Sequence, residues 1–600
     1  MKTNEENQTD KGLEQNAAFI RDAYRKAVIT GMLSILSVNI NVFVDGILVG
    51  RAIGSEALAA INLSLPVYWT LCVIGSFLAA GTEIPAAHAI GAGDTRMRDA
   101  YFRTGLNVSL LASALVTVVS LVFLNPLVSF LCSDAAAWEY VRQYVMITMI
   151  GALPKIVIYI PFWYLCLDGK NTDVSLMMVG MAVINIVLDV LFVNMFKMGV
   201  FGAGLASVIA TATACIYGII RLFVGKSPYT WSPEILRGRT EWFTISAAGF
   251  PSAFNNLCAT VRLLIVNAML MAAGGAGLVA VFTAINGIWG FGECITLGVP
   301  AAGGSMLGVF NGEKDNGSCR LLLWEEWRIG SLAGVVFLVL CAVLSGWIPR
   351  MYGLEGSLLV PLLWMALAVF PALFLGIFMT FYNMSGQNAR ANAIIFFRGI
   401  VLPFLSLLLA LIPALSAILT PFSFLLFAEL GTVLLWWAGT WLHHWRHPGH
   451  SRWLLTDLDD EKSGRVLNFS VSAELYDIVS ASERISGFCA KNGLNPGETI
   501  RLEMSMEEVM TLIRQVNEEA GNRSLRFDLR AYSVRNMRGI RIRYSGIPFN
   551  PFLFSSREAE EDMYMGVRMI KKMVELVNYQ SAFGVNTLQI ILKEEKANEA

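Results

Sequence analysis

From residue 27 to residue 450 the chain runs for 424 positions with only 39 charged side chains, about 9%. A water-soluble domain averages about 25%. A block of that length with so few charges has no hydrated surface, so it belongs in lipid. The flanks differ: the first 26 residues carry 10 of the chain's 91 charges, and residues 451–600 carry 42. The pattern implies a large membrane domain followed by a water-soluble domain. It excludes collagen-like, disordered and secreted disulfide-rich architectures, and free nucleic-acid binding, as the main theme. The nine cysteines are scattered in apolar runs with no CxxC pair and read as small buried hydrophobes. The polar N-terminus, MKTNEENQTDKGLEQ, has no short apolar core with a small-residue cleavage site, so no cleaved leader is expected.

A spanning helix needs about 20 apolar residues. Breaks at charge clusters and at Gly, Pro and Asn give twelve candidates: 27–49, 57–84, 104–124, 143–166, 175–196, 202–224, 244–271, 278–304, 329–348, 358–384, 391–415 and 420–443. The N-terminal tail and the even-numbered loops hold 17 Lys and Arg; the other loops hold about four, namely Arg51, Arg142, Lys197 and Arg350. The positive-inside bias therefore predicts a cytoplasmic N-terminus. With an even number of spans the C-terminus is cytoplasmic too, as expected for a multi-pass protein of the cell (inner) membrane.

The membrane block reads as an internal duplication. Gly54-Ser55-Glu56-Ala57-Leu58-Ala59-Ala60 matches Gly275-Ala276-Gly277-Leu278-Val279-Ala280-Val281, and Gly91-Ala92-Gly93-Asp94 matches Gly312-Glu313-Lys314-Asp315, both at an offset of 221. Asp168-Gly169-Lys170-Asn171 matches Ser385-Gly386-Gln387-Asn388 at an offset of 217. Two six-helix repeats of one polarity fit a parallel-repeat transporter with its path between the halves. The expected fold is thus an all-α polytopic membrane protein of 12 transmembrane helices plus a C-terminal α/β domain. Its segments are a tail (1–26), a first repeat (27–224), a cytosolic linker (225–243), a second repeat (244–445), a second linker (446–464) and the soluble domain (465–600).

An ionisable residue within a span is expensive and is a functional candidate by default. Asp45 lies deep in the first span; Asp189 lies in the fifth, with Asn185 four residues earlier on the same face. Two carboxylates and an amide make a small oxygen cage, fit to hold Na⁺ or to share a proton. At the repeat offsets the second half has Val266, Leu402 and Ser406, so the acids occur only in the first half. Arg262 and Glu293 are the corresponding candidates for the second half, either paired with each other or lining a substrate path. Glu83 and His88 lie near the cytoplasmic end of the second span. The run His443-His444-Trp445-Arg446-His447-Pro448-Gly449-His450 reads as an interfacial anchor, with metal binding as the alternative. Gly225-Lys226-Ser227 imitates the end of a phosphate-binding loop, but the position for its first glycine is Ile220 and no strand precedes it.

Val44-Asp45-Gly46-Ile47-Leu48-Val49-Gly50-Arg51 resembles the first-helix signature of the multidrug and toxic compound extrusion (MATE) family. Asn185-Ile186-Val187-Leu188-Asp189 followed by Gly202-Ala203-Gly204-Leu205-Ala206 resembles its fifth and sixth helices, and Arg398 with Pro403 the start of its eleventh. The resemblance covers roughly 20–445. It implies a secondary antiporter exporting small organic compounds, often cations, against H⁺ or Na⁺. It also implies a cation site at Asp45, Asn185 and Asp189, with Ser207 where the family often has a hydroxyl ligand. Alternatives are a lipid-linked substrate flippase of the same superfamily, or a membrane-tethered sensor.

Residues 465–600 read as α/β, with strands at 466–471, 525–533, 538–545 and 586–592 and helices at 474–491, 499–518 and 560–577. Leu502–Gln515, Ser545-Gly546-Ile547-Pro548-Phe549-Asn550-Pro551 and Gly566-Val567-Arg568-Met569-Ile570-Lys571-Lys572 resemble the histidine-kinase-like (GHKL) fold of anti-sigma-factor serine kinases. The resemblance implies a nucleotide site, yet this chain departs from it. The Glu–Asn–His series is here Glu507, Thr511, Gln515, and the adenine-reading Asp is Tyr544; Gly546 and Gly566 persist. The expectation is therefore a domain that has lost kinase activity, binds ATP weakly or not at all and takes no other cofactor, and meets a cytosolic regulatory protein or controls the transporter.

Overall fold

The computed structural model describes residues 20–37, 39–40, 55–92, 94–131, 135–224, 229–351, 357–412, 421–455, 464–522, 525–534, 537–554, 565–582 and 585–592. Two compact units emerge. One comprises Lys26–Asp315 and Leu322–Gly439; the other comprises Met1–Arg25, Asn316–Leu321 and Thr440–Ala600.

The first unit is helical, and the first residues of α1 and α12 and the last of α17 fall to the other unit. Its helices are α1 (20–37), α2 (Ser55–Ala92), α3 (Thr95–Val122), α4 (Leu124–Leu131), α5 (Ala135–Ile150), α6 (Ala152–Val157), α7 (Tyr159–Leu167), α8 (Asn171–Asp189) and α9 (Gly199–Phe223). After a connector come α10 (Arg239–Thr296), α11 (Gly298–Gly312), α12 (Asn316–Leu344), α13 (Ile348–Met351), α14 (Leu359–Met384), α15 (Asn388–Phe396), α16 (Leu402–Ala410) and α17 (Phe424–Arg446). Among the described residues ten helical stretches are long and apolar enough to cross a membrane. An eleventh is the pair Trp138–Ile150 and Ala152–Leu167, bent by 59°. The bend falls at Gly151 and Pro154, where a helical N–H is missing. Of the first expected span, 27–49, residues 41–49 lie outside the described residues.

The spans are built inside-out relative to a soluble protein. On α3, Leu111, Leu115, Val118 and Val122 recur at helical spacing and are the exposed stripe, whereas Ser109 and Ser113 are fully buried. Lipid is as apolar as leucine, so small and polar residues make the helix contacts. The two halves meet where α1 packs on α11 and α2 on α10. A Cβ on Gly31 would stand 2.4 Å from the Gly298 carbonyl, and one on Gly249 2.3 Å from the Phe77 carbonyl.

The duplication shows in the turns. Gly169 (φ 72°) and Gly386 (φ 73°) end α7 and α14 in the left-handed region, where a side chain would be strained. The same hydrogen bonds follow each: Lys170 N to Leu165 O at 2.9 Å, and Gln387 N to Tyr382 O at 2.8 Å. At the other matched turn Asp94 N bonds Ala89 O at 2.8 Å and Asp315 N bonds Phe310 O at 2.9 Å.

The connector between the halves lies along α3. Asn107 donates to the Ser232 and Glu234 carbonyls at 2.8 and 3.1 Å. Arg103 donates to the Thr230 carbonyl at 3.1 Å and to Glu234 at 3.0 Å, and the Leu236 N–H to Thr104 Oγ1 at 3.0 Å. Tyr229 is buried beside Phe102, ring centroids 4.7 Å apart.

In the second unit, residues 464–592 form an antiparallel sheet of β1 (Val466–Ser472), β2 (Arg526–Val534), β3 (Met537–Tyr544), β4 (Val574–Ala582) and β5 (Val585–Leu592), in the order β1-β2-β3-β5-β4. The helices are α18 (Leu475–Lys491), α19 (Pro496–Glu519), α20 (Pro551–Phe554) and α21 (Met565–Met573). Phe527, Leu529, Ile540, Ile542, Leu588 and Ile590 share one core with Ile485 of α18, Met506 and Ile513 of α19 and Ile570 of α21. The last expected helix, 560–577, ends early. From Val574 the chain alternates Val-Glu-Leu-Val-Asn-Tyr as a strand, and pairing with β5 wins over helix continuation. The opposite sheet face is polar yet buried: Asp528, Arg541 and Arg543 are each under 5% exposed, with Asp528 3.4 Å from Arg541. Arg543 also donates to Ser318 at 3.3 Å within this unit.

Candidate functional site

Three groups of ionisable side chains lie inside the membrane block. The first is on α8. Asn185 and Asp189 are both 1% exposed, and the Asn185 amide donates to Asp189 Oδ2 at 2.5 Å. The i, i+4 spacing makes the pair, and Asp189 closes the α-helix where it passes into a π-helical segment, Val190–Met195. Ser207 is half-buried on α9, which packs on α8; its hydroxyl makes no hydrogen bond to the pair among the described residues. Asp45 lies outside the described residues. In the second half Ser406 stands at the position matching Asp189, and its hydroxyl donates to the Leu402 and Phe424 carbonyls at 2.6 and 2.9 Å. A neutral hydroxyl thus meets the packing need there.

The second group is in the C-terminal half. Arg398 and Glu429, 7% and 1% exposed, form a buried ion pair at 2.8 Å between Nε and Oε1. Arg398 stands in a second π-helical segment, Phe397–Val401. Arg262 and Glu293, both half-buried, form no ion pair with each other among the described residues. Each is nonetheless within electrostatic reach of the other and of Arg398, and Arg262 also of Glu429. The four charges therefore form one cluster.

The third group lies near the seam between the halves and beside it. Glu83, 1% exposed on α2, accepts from Ser305 Oγ of α11 at 2.7 Å. His88 donates from Nε2 to the Met384 carbonyl of α14. Both residues thus join elements of opposite halves. Lys155 of α6 is 7% exposed, with its ammonium 5.1 Å above the Tyr68 ring. Asn39 donates to the Gly290 carbonyl at 2.7 Å, again across the halves.

Sequence reasoning missed Lys155 and Glu429, and named Arg398 only as a motif residue. Both missed residues are charges inside expected spans, 143–166 and 420–443. A search of every span for single charges finds them; counting Lys and Arg in the loops does not. Glu326 of α12, fully buried, escapes that search because it precedes the expected span 329–348. In the histidine run, His443 Nε2 lies 3.2 Å from His450 Nδ1, and no group fit to hold a metal occurs among the described residues.

In the sheet-bearing C-terminal region Tyr544 is fully buried, and its hydroxyl donates to the Phe549 carbonyl at 2.7 Å. Asn517, also fully buried, accepts from the Ile547 N–H at 3.0 Å and donates to the Ile513 carbonyl at 2.8 Å, pinning the Gly546 turn. Thr511 is exposed and Glu507 half-buried on α19. Gly566 lies against Glu508, whose Oε1 is 2.0 Å from an ideal Cβ there.

Residues 32–191, which span α8 and its Asn185–Asp189 pair, match the family model MatE. That stretch of the chain is MATE-like. It is similar to the FAD transporter of Shewanella oneidensis, 25% identical over 239 residues, 38% of this chain and 52% of that protein. It is also similar to the multidrug export protein MepA of Staphylococcus haemolyticus, 24% identical over 32% of this chain and 42% of that one. The chain spans about half the length of the curated relatives it matches. Among solved structures, a MATE protein in complex with MaL6 superposes with a TM-score of 0.65 at 21% identity, over 71% of this chain and 96% of that chain. A MOP-superfamily transporter from Pyrococcus furiosus with a binding pocket of reverse polarity gives 0.66 at 20% identity over 72% and 98%. These likenesses establish the MATE fold of the membrane block.

Proposed function

We propose that the chain is a secondary antiporter of the cell membrane that exports small organic compounds in exchange for H⁺ or Na⁺, with both termini in the cytoplasm. The observation that carries this reading is the buried Asn185–Asp189 pair in the first half, with neutral Ser406 at the matching place in the second. A carboxylate retained where packing alone accepts a hydroxyl has a role beyond packing, and a mobile cation or proton is the partner its chemistry takes. Asp45 and Ser207 complete the cage in this proposal. Glu83 and His88, bonded across the halves, are positioned to couple protonation to their separation.

The soluble domain is proposed as a GHKL-like module without kinase activity that meets a cytosolic protein or adjusts the transport cycle. Tyr544 fills with a buried phenol the place where adenine is read by a carboxylate in the fold it resembles. The Glu508 carboxylate beside Gly566 opposes a phosphate there.

The test is transport by the full-length protein in proteoliposomes under imposed pH or Na⁺ gradients. Wild-type protein is expected to drive solute movement against either gradient, and Asp189→Asn to abolish it while remaining folded. Undiminished gradient-driven transport by Asp189→Asn overturns the coupling role. Micromolar Mg-ATP binding by the full-length protein overturns the reading of its tail.

A further inference from the structure

The four-charge cluster of the C-terminal half has more donor capacity than its own acids use. Arg398 is more than nine-tenths buried, yet it spends only Nε, on Glu429 Oε1. Its two terminal amino groups donate to nothing among the described residues. Arg262 makes no hydrogen bond and no ion pair there, although Glu429, Arg398 and Glu293 all lie within its electrostatic reach. The two arginines are brought together by close helix packing. Gly399, next to Arg398, lies so near α10 that a Cβ there would stand 2.6 Å from Cys258 Cβ, and Cys258 is one turn before Arg262 on that helix.

Two guanidinium groups with unspent planar donors, in a low-dielectric interior, call for an oxyanion. The Arg398–Glu429 pair neutralises its own two charges through one bond, and it leaves Glu429 Oε2 buried without a hydrogen-bond partner as well as the two terminal nitrogens of Arg398. Arg262 makes no such pair: it is half-buried and adds a second cation within electrostatic reach of the first. A bound metal ion would have to stand between two guanidinium groups and is disfavoured by both.

We propose that Arg262 and Arg398 form an oxyanion subsite, held by Glu429 and bordered by Glu293, that takes the carboxylate or phosphate of a soluble transported solute. The proposal rests on the antiporter reading for the word transported and departs from the organic cation expected from sequence. Arg398 is fixed by Glu429 and presents its terminal nitrogens; Arg262 supplies the second guanidinium to the anion.

The test is equilibrium binding to the full-length protein in phosphatidylcholine nanodiscs, with riboflavin 5′-phosphate and riboflavin as probes that differ by one phosphate. The phosphorylated probe is expected to bind at least tenfold more tightly. Arg262→Gln is expected to reduce that ratio tenfold or more, and Arg262→Lys to retain part of it. Arg398→Gln alone strands a buried carboxylate, so the Arg398→Gln/Glu429→Gln double variant is the folded control, and it too is expected to lose the ratio. Equal affinity for the two probes, or an unchanged ratio in Arg262→Gln, overturns the proposal. So does loss of the phosphate preference when phosphatidylglycerol replaces phosphatidylcholine, because a lipid headgroup then owns the subsite. Binding needs no gradient, so failure of antiport in proteoliposomes and failure of the subsite are read separately.

Discussion

At Glu429 one carboxylate oxygen holds a buried guanidinium at 2.8 Å. Removing one member of a buried pair leaves the other without a counter-charge, which costs about 3–5 kcal/mol, whereas replacing both with apolar residues of similar volume is often neutral. Glu429→Ala is therefore expected to lower the thermal stability of the detergent-solubilised protein sharply, and Arg398→Met/Glu429→Leu to restore most of it. Equal loss in both variants would count against a charge-pair origin. A second residue-scale expectation concerns Cys489, fully buried in α18, whose thiol burial pushes up to about 11. Between its ordinary range near 9 and that value, the unfolded state sheds the proton first, so the domain loses stability as pH rises through that window. Native protein at pH 8 should leave Cys489 unalkylated by iodoacetamide, with labelling appearing only on denaturation. Single residues were legible from sequence where the signal was local. Asp189 with Asn185 is an i, i+4 pair in an apolar run, and the structure joins them. Arg398 with Glu429 is a pair 31 residues apart on different helices, and no periodicity announces it.

At the scale of elements, the helix starts and stops carry their own signals. Asn495 caps α19, accepting from the Glu498 N–H at 2.7 Å while Glu498 accepts from the Asn495 N–H at 3.0 Å. Losing such a cap costs about 1 kcal/mol. Asn495→Ala should raise the rate of proteolysis within the soluble domain of the intact protein, and Asn495→Ser should leave it near wild type. The soluble domain's β2 and β3 were readable as a pair, because each alternates apolar and polar residues over its length. β4 was not, because Val574 follows α21 with no Gly, Pro or Asn to mark the change. What separates the two readings is the pairing with β5, a contact absent from the local sequence. Twelve spans were expected and ten or eleven helices qualify among the described residues. The difference arises at 41–49, outside those residues, and at the bend between α5 and α6.

For the whole molecule, the loop matches were the most legible feature, since two of them recur as matched turns at Gly169 and Gly386. The seam between the halves was not, because it depends on which helices of opposite repeats touch. Gly249→Leu would drive a branched side chain toward the Phe77 carbonyl, 2.3 Å from the first carbon. That substitution is expected to abolish transport while leaving a folded, membrane-inserted protein, because the halves are then held apart on one side. Normal transport by this variant would mean that α2 and α10 do not stay in contact through the cycle.

The connector from Tyr229 to Gly238 acts as a dowel rather than a leash. Its grip on α3 comes from Arg103, Thr104 and Asn107, so the second half is keyed to the first by hydrogen bonds as well as by the peptide chain. Covalent continuity between Val224 and Tyr229 is then dispensable for assembly. Two separately expressed polypeptides divided there, each with its own insertion signal, should find one another in the bilayer and purify as a pair. An Asn107→Ala substitution in the split protein should loosen that partnership far more than it disturbs the unbroken chain.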